Sequence, residues 1–65
     1  MYNIVVTKKI DDKLFVIVKF IDRRRAAFME FEEQAKYYCE NCKLSGSNNN
    51  YYVENEKYRV ELSKI

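Results

Sequence analysis

Leu14-Phe15-Val16-Ile17-Val18-Lys19-Phe20-Ile21-Asp22-Arg23-Arg24-Arg25-Ala26-Ala27-Phe28 is where the period of the chain changes. Before Asp22 the residues alternate: Leu14, Val16, Val18 and Phe20 line one face, and Phe15, Ile17, Lys19 and Ile21 the other. Two largely apolar faces on a short β-branched run predict a strand that is either covered on both sides or carries a binding surface on its second face. After Asp22 the apolar residues recur every three or four positions. Ala27, Phe28, Phe31, Ala35, Tyr38, Cys39 and Cys42 fall on one helical face, and Glu30, Glu33, Lys36, Glu40 and Asn41 lie away from it. Asp22 is a suitable N-cap, so the expected helix covers about residues 23–42.

Outward from this switch the rest of the chain reads as strands. Tyr2 to Lys8 alternates, with Tyr2, Ile4 and Val6 on one face, and Asp11-Asp12-Lys13 forms a turn without glycine. Leu44 to Asn50 is polar, so residues 43–50 read as a flexible loop in which Gly46 stops the helix. Tyr51-Tyr52-Val53 and Tyr58-Arg59-Val60-Glu61-Leu62 make a hairpin around Glu54-Asn55-Glu56-Lys57. The order ββαββ predicts an α+β, two-layer domain over 1–65: a four-stranded antiparallel sheet with one helix packed on one face. The second face of the sheet is then expected to hold Val5, Phe15, Ile17, Ile21 and Tyr52, mixed with Lys19, Arg59 and Glu61.

A chain of 65 residues has room for one core, and a domain of this size buries only roughly 60% of its unfolded surface. With 48% hydrophobic residues, no proline and one glycine, it is too apolar for a disordered segment. The net charge of +2 is unevenly spread: residues 1–25 carry seven basic and three acidic side chains, residues 26–65 five basic and seven acidic. That dipolar pattern suits an oppositely patterned partner better than a generic nucleic-acid binder. The longest apolar run is too short for a membrane span and no secretory leader is evident, so a cytoplasmic location with reduced thiols is expected, in the host cytoplasm if the chain is phage-encoded.

Chemistry is sparse. There is no histidine, no glycine-rich phosphate loop and no serine in a nucleophile-elbow context, so no enzyme activity and no cofactor are expected. Cys39-Glu40-Asn41-Cys42 is a C-x-x-C, but its position near a helix C-terminus disfavours a thiolate, and no further Cys or His completes a zinc site. The thiols are expected to fill the apolar face; only two copies in a dimer would assemble four sulfur ligands from Cys39 and Cys42. Arg23, Arg24 and Arg25 at the helix start oppose its dipole, a local inconsistency that reads as a cluster aimed at anionic groups, with pairing to helix glutamates as the alternative. Lys8, Lys9 and Lys13 read as solvated lysines around the first turn.

In general character the chain resembles small proteins of phages and mobile elements: compact, rich in Tyr, Asn, Lys and Ile, and without catalytic residues. That resemblance implies a small inhibitor that binds and occludes a host or defence protein. The expectation is therefore a non-catalytic protein-binding module. Its anchors would be Arg23, Arg24 and Arg25 with Phe15, Ile17, Lys19, Tyr37 and Tyr52, and self-association would use the open sheet face. The alternative is a small RNA- or single-stranded-DNA-binding domain, with Phe15 and Tyr52 stacking on bases and the arginines holding phosphates.

Overall fold

A computed structural model describes residues 1–65. The elements are β1 (Tyr2–Ile10), β2 (Lys13–Ile21), α1 (Arg24–Tyr38), β3 (Ser45–Ser47), β4 (Asn50–Glu54) and β5 (Tyr58–Lys64). The strands form one antiparallel sheet in the order β2-β1-β5-β4-β3, and α1 lies across one face. The α+β class and the single helix match expectation. The sheet has five strands rather than four. Ser45–Ser47, which composition assigns to a loop, pairs with β4. Asn48 and Asn49 turn the chain with φ of 53° and 69°, a left-handed pair that Asn tolerates. Gly46 sits inside β3 at φ +101°, where a Cβ would fall 2.1 Å from the Asn50 carbonyl oxygen. It therefore serves the β3–β4 approach and does not stop the helix.

Strand order follows from the crossover. The chain leaves β2 at one edge, crosses the sheet in α1, and re-enters at the far edge as β3. α1 consequently covers the inner strands. Tyr2, Ile4 and Val6 of β1, Val60 and Leu62 of β5 and Val53 of β4 are buried with Ala27 and Phe31 of α1 and with Cys39. Ile4, Val60 and Leu62 are fully enclosed. Phe28 sits edge-on between Tyr2 and Tyr51, with ring centroids 6.5 and 5.5 Å away, an arrangement favoured by the quadrupoles of the rings.

The helix is shorter than the expected 23–42. Its N-cap is Arg23, without a side-chain cap, and its first turn holds no acid. Asp22 lies one position too early for its carboxylate to cap. The helix ends at Tyr38 because the next residue turns inward: Cys39 leaves helical geometry while its N–H still donates to the Ala35 carbonyl at 2.7 Å. The Cys42 N–H then returns to the Cys39 carbonyl at 3.1 Å, with Asn41 left-handed at φ 65°. Asn55 closes this end. Its Nδ2 donates to the Tyr38 carbonyl at 3.2 Å, and its Oδ1 accepts from the Lys57 and Tyr58 amides at 2.9 and 2.7 Å.

The first hairpin sets which residues share a face. Asp11 and Asp12 alone form its turn, both left-handed (φ 50° and 64°), so Ile10 pairs with Lys13. Even-numbered residues of β1 therefore stand opposite odd-numbered residues of β2. With Tyr2, Ile4 and Val6 under the helix, Ile21, Lys19 and Ile17 lie on the helix side. The expected faces of β2 are thus reversed. Phe15, Ile17, Lys19 and Ile21 are on the helix side, and Leu14, Val16, Val18 and Phe20 join Val5, Tyr52, Arg59 and Glu61 on the open face.

Candidate protein-binding surface

β2 is a nine-residue edge strand whose residues are exposed on both faces except for the half-buried Ile21 at its end. Leu14, Val16 and Phe20 are 68, 58 and 62% exposed, and Phe15, Ile17 and Val18 are between 42 and 49% exposed. The backbone direction is settled by β1. The Lys9 N–H donates to the Lys57 carbonyl next to β5, at 2.8 Å. Odd residues of β1 thus bond toward β5 and even ones toward β2. On β2 the odd residues bond to β1, and the N–H and C=O groups of Leu14, Val16, Val18 and Phe20 point away from the sheet. A long, apolar edge with unpaired backbone groups is a template for another strand. The opposite edge, β3, has three residues, all small.

On the helix side, the Lys19 Nζ donates to Glu30 Oε1 at 2.7 Å, and Gln34 Nε2 donates to the same oxygen at 3.0 Å. These bonds hold the Glu30 carboxyl below, and the Lys19 ammonium above, their ordinary ionisation ranges. An outward-reaching edge lysine would obstruct strand addition; here Lys19 is folded back onto α1. A small cavity of about 210 Å³ between α1 and the sheet is lined by Ile4, Val6, Ile17, Lys19, Gln34 and Tyr38. Beyond the other flank of the helix, Phe28, Phe31, Ala35, Leu44, Tyr51 and Val53 line an open apolar cleft of about 430 Å³.

The open face divides into two halves. One is largely apolar: Leu14, Val16, Val18 and Phe20 of β2, beside Val5 and the polar Asn3, Thr7 and Lys9 of β1. The other is ionic. Arg59 Nη1 meets Glu54 Oε2 at 2.6 Å and Arg59 Nε meets Glu61 Oε1 at 2.8 Å, which hold the guanidinium more firmly protonated. Its Cζ lies over the Tyr52 ring, 4.3 Å from the ring centre. Tyr52 is therefore already engaged with Arg59.

The anchors expected from sequence do not converge. Arg23, Arg24 and Arg25 are exposed and make no ion pair with the helix glutamates. Arg24 instead lies over Phe28 at 5.2 Å. Tyr37, 81% exposed, stands at the other end of α1, roughly 20 Å away along the axis. It packs edge-on against Tyr38 at 4.7 Å, and Lys8 lies over the Tyr38 ring at 4.8 Å. Phe15 pairs with Lys8 and belongs to that end. Phe15 and Tyr52 fall on opposite faces of the sheet, so they form no common stacking platform. Sequence reading missed the even residues of β2. The signal was the two-residue length of the Asp11-Asp12 turn, which sets the register.

Cys39 and Cys42 lie in the turn after α1 and not on its face. Cys39 is buried, with Sγ donating to the Tyr58 carbonyl at 3.6 Å; Cys42 is half-buried. Burial, reinforced by the neighbouring Cys42 sulfur, pushes the Cys39 thiol up to about 11. A thiol held protonated is neither a good nucleophile nor a ready metal ligand. No three His, Cys, Asp or Glu side chains come together in metal-binding geometry. No helix is long and apolar enough to cross a membrane. Compared with known proteins, the chain matches no family model, no curated protein and no solved structure.

Proposed function

We propose that this chain is a non-catalytic protein-binding module that works by occlusion, as a small phage- or mobile-element-type inhibitor of a host or defence protein in the cytoplasm would. The observation that carries the reading is β2: a nine-residue apolar strand at the sheet edge, exposed on both faces and with unpaired backbone groups. Contiguous exposed apolar surface of this kind marks protein interaction sites, and strand addition to a free edge is a recurrent way of binding. Arg23, Arg24 and Arg25 follow β2 directly in the chain and extend the surface toward acidic groups of a partner. Tyr37 lies outside it.

Photo-crosslinking tests this reading. A photoreactive phenylalanine analogue at Val16 or Val18 should give a discrete adduct with a larger protein, separate from any adduct of two copies of the chain, in cells that carry the chain naturally. The same group at Ser45, on the opposite edge, should give none. Identical adducts from both edges, or none from β2, would remove the reading. Binding to a random single-stranded oligonucleotide that falls steeply with salt would instead support the nucleic-acid alternative.

A further inference from the structure

We propose that β2 is paired along its edge by β2 of a second copy, antiparallel about a twofold axis at Ile17, joining two five-stranded sheets into one. This rests on the reading of β2 as a protein-binding strand and names what lies against its edge.

The backbone limits the choices. Only Leu14, Val16, Val18 and Phe20 offer outward N–H and C=O groups, and in an antiparallel pair such residues must stand opposite one another. The register centred on Ile17 sets Leu14 opposite the partner's Phe20 and Val16 opposite the partner's Val18, so that every outward group of both strands is bonded. On the open face each of these cross-strand pairs is apolar. On the helix side Ile17 meets the partner's Ile17, Lys13 meets the partner's Ile21, and Phe15 lies opposite the alkyl stem of the partner's Lys19, whose ammonium stays bonded to Glu30 of its own chain.

The neighbouring symmetric registers are worse. Sliding by one step toward the turn moves Phe20 past the end of the partner's strand, opposite the partner's Asp12, and leaves its ring without an apolar neighbour. Sliding the other way moves Leu14 past the end of the partner's strand, opposite the partner's Asp22, and sets Lys13 against the partner's Arg23. Charge and apolar patterning thus select one register.

The remaining geometry permits it. A twofold axis normal to the sheet places both helices on the same side. The two β1 strands are then three strand spacings apart, roughly 14 Å. Because α1 lies mainly over β1 and β5 and touches β2 only along its near side, the helix axes are further apart still, beyond the roughly 10–12 Å diameter of a helix. The interface is isologous and closes on itself. With only the short β3 left at each outer edge, the assembly ends at two copies. The apolar halves of the two open faces become one platform, doubling the surface offered to a larger partner.

Sedimentation equilibrium on the full chain should give twice the chain mass. Val16→Pro removes an outward N–H that bonds nothing within the chain; it should give the monomer mass with an unchanged far-UV circular dichroism spectrum. Should that variant not fold, Val18→Lys keeps the backbone and should weaken the dimer by about tenfold or more. Register is tested with Cys39→Ala and Cys42→Ser as background. Ile17→Cys should oxidise to a covalent dimer, since the two positions face each other on the axis, while Val16→Cys should not. A monomer at every concentration, assemblies beyond two copies, or equal cross-linking of both cysteine variants would overturn the proposal. A monomer that still gives a discrete adduct from Val18 would remove the dimer and leave the proposed function standing. A dimer without a larger-partner adduct would keep the dimer and remove the function.

Discussion

Replacing Asn55 with alanine should destabilise this domain more than an exposed turn substitution ordinarily does. The side chain makes three hydrogen bonds: Oδ1 accepts from the Lys57 and Tyr58 amides at 2.9 and 2.7 Å, and Nδ2 donates to the Tyr38 carbonyl at 3.2 Å. The first two shape the β4–β5 turn; the third ties the end of α1 to it. A net hydrogen bond contributes about 0.5–1.5 kcal/mol, and solvent-exposed ones sit at the low end. Three of them give about 2 kcal/mol, and in a domain of this size each kcal/mol moves Tm by about 4–8 °C. Thermal melts followed by circular dichroism should show Asn55→Ala melting about 8–16 °C lower. Asn55→Asp keeps the acceptor for both amides and loses the donor to Tyr38, so it should fall between the two. An alanine variant within about 2 °C of the parent would refute the idea that Asn55 joins the two layers. So would an aspartate variant no better than alanine.

Three further outcomes follow from the same contacts. Lys19 and Glu30 stabilise the fold between the ordinary carboxylate value of 4.5 and the ordinary lysine value of 10.5. The contribution is lost as pH falls through the lowered Glu30 value and as it rises through the raised Lys19 value. Glu30→Gln should therefore flatten the acid limb of Tm against pH and leave the alkaline limb set by other groups. Cys39 ionises at an ordinary 9.0 once unfolded but only near 11 when buried, so the unfolded chain releases its proton first. Stability should fall between those pH values, by about 2–3 kcal/mol in total, and Cys39→Ala in chemical-denaturation curves should remove that slope. The left-handed Asp11 and Asp12 carry a backbone penalty; Asp11→Asn with Asp12→Gly suits the same turn and should raise Tm by about 4–8 °C, roughly 1 kcal/mol.

Much of the secondary structure was legible because each signal is local. The change of period at Asp22 marks the passage from strand to helix, and Tyr2, Ile4 and Val6 identify the buried face of β1. β3 was hidden because Ser45-Gly46-Ser47 has no hydrophobic alternation to read; its pairing depends on the left-handed Asn48-Asn49 turn and on a glycine that admits the Asn50 carbonyl. The early end of α1 was hidden because Cys39 continues the apolar spacing of the helix while its side chain packs from a turn. The arginines stood out as a charge run, yet the structure brings them to neither Tyr37 nor Tyr52.

By itself the sequence determined the order of most elements, the α+β class and the two-faced apolar character of Leu14–Ile21. It did not determine where that strand lies. Alternation records the chemistry of the side chains and not whether anything covers them, so a central strand and a bare edge strand read alike. Only the tertiary structure decides between them. The helix must cross the sheet to reach β3, and the core closes over β1 and β5; this leaves β2 outside, with its backbone groups turned toward whatever binds there.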